Sequence, residues 1–220
     1  MKIKSTFLIL FISIWVNQFY GQFTPQKPDL RNCGSAPNYY LDYFNCTSNN
    51  YTLNDVFLSI SNSSGVPITT PCAPPNIQNV FLWLNYTSNS NSSIHQTRIF
   101  GDILVKDQNG NLIQTLQINS YLGEVVPGSG QRLLNIPSYG SGFPWTCGYE
   151  LSLTRLLVVW KTNGNSSDPE LSSYNCNTFN KSQCELPTSL IVSAPMAVQF
   201  DYTQCTIGNI TTVNFDDDTN

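Results

Sequence analysis

The chain has 220 residues, 40% of them apolar and only 11% charged, with ten basic against fourteen acidic side chains and a net charge of −4. That is enough apolar chain to bury one full core, or one core and the beginning of another, so it is no disordered tail. Its bases stand singly after residue 4, which excludes the clustered Lys and Arg face that nucleic-acid phosphates require.

Taken in chain order, Met1-Lys2-Ile3-Lys4, an apolar stretch over residues 7–16 and the small residue after Tyr20 form a secretory leader, cleaved after Gly21. Ten apolar residues fall short of the roughly twenty a membrane span needs, and residues 151–160 are interrupted by Thr154 and Arg155, so no spanning segment is expected. Without Lys2 and Lys4, eight bases face fourteen acids, and solubility rests mainly on Asn, Ser and Thr. The expected location is secreted, extracellular or cell-surface.

Residues 22–38 contain Pro, Gln and Asn without periodicity and read as a linker. A β-sandwich module is expected over 39–194. Val80-Phe81-Leu82-Trp83-Leu84-Asn85-Tyr86 is rich in branched and aromatic residues and predicts a central strand buried on both faces. Residues 99–106 and 112–118 flank an Asn109-Gly110 pair, a hairpin signal; with those two as the turn residues, Ile103 faces Leu116 across the ladder. Residues 151–160 carry apolar side chains on both parities, as a doubly covered strand would. Ile191 to Ala194, then Val198, Phe200 and Tyr202, alternate with polar neighbours, and Pro195 between them marks a domain boundary. Only 54–58 could form a short helical turn. The fold class is all-β, an antiparallel sandwich containing disulfides, with a partial second β domain over 195–220.

Seven cysteines, with no Cys-x-x-Cys pair and one distant histidine, point to disulfides in an oxidising compartment and to no firm metal site. Cys176 with Cys184, which closes a short loop, is the first candidate pair. Cys46 with Cys72 is the second, and Cys205 is left over.

Chemistry-bearing residues are sparse. His95 stands in a polar segment and reads as a loop histidine; no catalytic residue and no enzyme is expected, because no nucleophile elbow or zinc-helix motif supports it. Asp55 and Asp102 lie near buried-looking strands, yet nothing pairs them as a glycosidase would. Asp216, Asp217 and Asp218 offer oxygen ligands for a weak structural calcium, the only cofactor contemplated. Tyr139, Trp145 and Tyr149 are candidates for stacking on a sugar face, weighed against packing of Trp145 on Cys147. Eight Asn-x-Ser/Thr sequons, at Asn45, Asn50, Asn62, Asn85, Asn91, Asn165, Asn180 and Asn209, read as polar loops except for Asn85, which falls in a strand.

Two resemblances cover most of the chain. Phe143-Pro144-Trp145-Thr146-Cys147-Gly148-Tyr149-Glu150-Leu151 with Lys161-Thr162-Asn163-Gly164, together with Asn54-Asp55-Val56-Phe57-Leu58, Cys72 and Gly101-Asp102-Ile103, resembles an N-terminal β module of large secreted, adhesin-like, gliding-associated proteins of Bacteroidetes. Ala194-Pro195-Met196-Ala197-Val198-Gln199-Phe200-Asp201-Tyr202 and Thr211-Thr212-Val213-Asn214-Phe215-Asp216-Asp217 are similar to the first strands of a PKD (polycystic kidney disease) repeat. These resemblances imply an adhesive or spacing module, part of a longer multidomain chain, with surface glycans or proteins as partners. The alternative is a carbohydrate-binding module attached to a polysaccharide-degrading enzyme.

Overall fold

The computed structural model describes residues 30–35, 40–140, 142–164, 176–179 and 181–198. The leader, Cys205, Asp216, Asp217, Asp218 and the expected second domain beyond Val198 lie outside them.

The fold is all-β. Its strands are β1 (Tyr51–Ser59), β2 (Ile77–Ser88), β3 (Ile94–Lys106), β4 (Leu112–Val125), β5 (Gly128–Leu134), β6 (Phe143–Thr146), β7 (Glu150–Lys161), β8 (Cys184–Glu185) and β9 (Leu190–Ser193). They run in the order β4-β3-β7-β9-β1-β2-β5, with β6 on β2 and β8 on β7. The sheet curls so that β1 and β2 share one core with β3, β4 and β7, including Leu58, Leu84, Ile99, Ile118, Leu153 and Trp160. Burying each such aliphatic side chain is worth about 1.5–3 kcal/mol. The short strand β9 joins the two halves: it runs parallel to β1 through Val56↔Val192 and antiparallel to β7 through Leu153↔Leu190. The ladder is therefore mixed at that seam instead of wholly antiparallel, because β9 returns along β1 after a long excursion and not through a hairpin.

The hairpin between β3 and β4 forms, but through the five residues 107–111 and a register shift between Val105 and Lys106 instead of a two-residue Asn109-Gly110 turn. Ile103 pairs with Leu116. Gly110 takes a φ of 81°, and the Asp107 carboxylate accepts the Asn109 and Asn111 amides, each at 2.8 Å. Residues 54–58 belong to β1 and not to a helical turn, since pairing along β2 outweighs weak local preference. β2 is central: its inner row, Val80, Leu82, Leu84 and Tyr86, is sealed, and on the outer row Trp83 is buried while Phe81 and Asn85 are half-buried.

Apolar residues on both parities of β7 have two causes. The first is a bulge: Arg155 adopts a φ of 53°, so the core row runs through Leu151 and Leu153 before it and Leu156, Val158 and Trp160 after it. The opposing Gly101 makes room, since a Cβ there would lie 2.7 Å from Leu156 Cδ2 and 3.0 Å from the Thr154 carbonyl. The second is a cap on the outer face, where Leu157, Val159 and Phe100 pack against Leu30, Tyr40, Phe44 and Phe179. The Tyr40 hydroxyl donates to the Arg155 carbonyl, and the Arg155 guanidinium lies 5.6 Å over the Tyr40 ring. The described part of the expected linker, residues 30–35, is thus packed structure: Leu30 and Cys33 are each 1% exposed.

Three disulfides brace this arrangement: Cys33–Cys176, Cys46–Cys184 and Cys72–Cys147. Both expected pairings, Cys176 with Cys184 and Cys46 with Cys72, are corrected. Closeness in sequence favours short loops, whereas the fold brings the cap's two segments together and sets each cysteine opposite a distant one. Beyond Pro195 the chain stays on the module as far as it is described, with the Val198 amide donating to the Cys72 carbonyl at 2.8 Å.

Candidate functional site

Among the described residues, one concavity holds the aromatic candidates and another holds Asp55. The first, about 320 Å³, lies between the start of β4, strand β6 and the start of β7, and Tyr139, Trp145 and Tyr149 all line it. The aromatic candidates therefore converge. Their roles differ from those expected, however. Trp145 is 2% exposed, and its indole N–H donates to the Tyr149 carbonyl at 3.0 Å, so it is a packed wall next to the Cys72–Cys147 bridge and offers no face to a sugar. Tyr149 is half-buried against the core. Tyr139, 38% exposed and flanked by the exposed Ile77 and Ile113, is the aromatic face that solvent reaches.

The second concavity, about 420 Å³, lies on the outer face of β1, β2 and β5. Register places Asp55 opposite Asn85 and Asn85 opposite Gln131, a cross-strand row of one carboxylate and two primary amides. A bulge at Asn54 turns its amide toward Thr87, with Nδ2 donating to Oγ1 at 3.0 Å, and Thr87 meets Ser129 at 3.2 Å. Such a row can accept from and donate to neutral hydroxyls while leaving little apolar surface to stack on. Asp55 carried a weak sequence signal and Asn85 only a sequon. Gln131 carried none, because its importance depends on β5 lying beside β2.

Below this row, Tyr51 and Tyr86 stack with centroids 5.1 Å apart, and Arg132 lies 5.4 Å over Tyr86. Gly130 is required here, since any Cβ would collide with the Tyr86 hydroxyl. Arg132 donates to the carbonyls of Leu122 at 2.8 Å and Glu124 at 2.6 Å, tying β5 back to β4. Burial, followed by the neighbouring Tyr86, pushes the Tyr51 phenol far above its ordinary range. Burial likewise raises Glu185, partly offset by the Tyr51 amide it accepts at 3.0 Å. Tyr51 is fully buried, which suits it to structure and not to reaction with a ligand.

His95 lies in strand β3 opposite Lys161 and not in a loop; its Nδ1 is buried without a partner among the described residues. Asp102 faces Arg155 at 3.6 Å and so serves the bulge. Among the described residues no three His, Cys, Asp or Glu side chains form a metal-sized group, and no helix is long and apolar enough to cross a membrane. No family model matches the sequence, and no curated protein matches it.

Proposed function

We propose that this chain is a non-enzymatic module of a secreted or cell-surface protein, acting in adhesion or as a braced spacer within a longer chain. The observation that carries this reading is the set of disulfides, which join residues 143, 138 and 75 positions apart. Cross-links of that span persist in oxidising compartments and stiffen a chain as a whole. The similarity of 194–202 to a PKD repeat supports a further repeat downstream. Protease shaving of intact cells, followed by peptide mapping without reduction, tests it. The expected result is surface-released peptides bearing the three bridges; a protein recovered reduced from the cell interior overturns the proposal.

Glycan binding is the second reading, favoured by the Asp55, Asn85 and Gln131 row, whose side chains make no hydrogen bond to another described residue. A glycan array probed with the chain from Gln22 onward should return a polysaccharide whose binding falls at least tenfold in Asp55→Ala. Equal binding by both proteins, or none by either, removes this reading.

A further inference from the structure

We infer that the two outer disulfides form a duplicated covalent clamp that carries tension between the two ends of the module past strands β1 to β7, leaving only β8 and β9 of the described strands on the loaded chain. This rests on the reading of the chain as one module in a longer surface protein, where load enters before Leu30 and leaves after Val198. Cys33 lies three residues inside the first of these points, and Cys176 is its partner. A pull on the ends therefore passes from Cys33 through sulfur to Cys176, and the 143 residue steps between them carry no load. The second bridge, Cys46–Cys184, spans 138 steps around nearly the same stretch. It takes over if the first is absent, with only five further residue steps exposed. The third, Cys72–Cys147, lies wholly inside both and is a reserve for 75 steps. A hydrogen-bonded ladder yields at far lower force than a covalent bond, so the clamp decides how much chain can be drawn out.

The nesting gives distinct lengths at about 3.4 Å per residue step. With all bridges closed, only the chain after Cys176 can extend, about 75 Å up to Val198. Opening every bridge releases a further 490 Å or so, the contour of the 143 steps. Removing both outer bridges but keeping the inner one releases about 230 Å, the 143 steps less the 75 still held. Removing either outer bridge alone changes the extension by no more than about 20 Å. Short-range pairings such as Cys176 with Cys184 would shield almost nothing.

Single-molecule pulling on the chain from Gln22 to Asn220, held between two marker domains, tests this. The oxidised chain should give the short extension, and the same folded preparation treated with a thiol reductant should give the long one. C33S/C176S and C46S/C184S should each keep the short extension. A long extension from the oxidised chain overturns the clamp. A long extension from either double variant overturns its duplication. Because the reductant arm starts from folded wild-type protein, a variant that fails to fold does not spare the inference. A correct force curve from a protein that shaving places inside the cell would leave the clamp standing while removing the surface reading.

Discussion

β7 has two covered faces, and they are covered by different means. On the inner face Leu153, Val158 and Trp160 sink into a core supplied by both halves of the curled sheet. On the outer face Leu157 and Val159 meet a cap of few residues, drawn from 30–35, 40–46, 176–179 and 181–184 and joined by two disulfides. A core of many aliphatic side chains holds itself together through hydrophobic burial. A cap with little chain cannot offset the entropy of ordering its two segments, so cross-links do what area cannot.

The comparison breaks most directly if the cap survives without its sulfurs. Replacing all four outer cysteines with serine should cost about 5 kcal/mol, less than the sum of two separate bridges because the loops nest. Guanidinium titration checks this, and an unchanged midpoint would mean the cap holds by packing alone. Next in size, Leu153→Ala on the inner face should cost about 2–5 kcal/mol, while Phe179→Ala in the cap should fall at or below the low end of that range. Equal losses in parallel melts would contradict the division between the faces. Gly101→Ala tests the bulge that separates the two rows and should cost about 1–3 kcal/mol by forcing Leu156 and the Thr154 carbonyl apart.

The smallest effect lies where the cap segment reaches the first strand. Glu185 holds its proton more tightly folded than unfolded, so its contribution to stability falls as pH rises from the ordinary carboxylate value through its raised one. Glu185→Gln should remove that dependence and raise neutral-pH stability by at most about 1 kcal/mol, since the carboxyl is only half shielded from water. Melting both proteins from pH 4 to 8 would show it; curves that stay parallel would place the burial elsewhere.

Of the candidate site, the sequence made Tyr139, Trp145 and Tyr149 visible because aromatic residues are conspicuous, and they do share one groove. It could not tell that Trp145 faces inward, since the turn that aims its indole at the Tyr149 carbonyl is set by packing on β2. The Asp55, Asn85 and Gln131 row stayed hidden because strands some thirty and forty-five positions apart have to align before the three side chains meet.

By itself the sequence determined what depends on near neighbours. These are the strands over 80–86, 99–106, 112–118 and 151–160, and the pairing of Ile103 with Leu116, because pleat alternation and the turn around Asn109 and Gly110 act within a few residues. Only the tertiary structure decided which cysteines meet, why β7 is apolar on both parities and that Leu30 is core and not linker. Those outcomes depend on which distant surfaces come within a few ångströms of each other, a quantity that local periodicity does not encode.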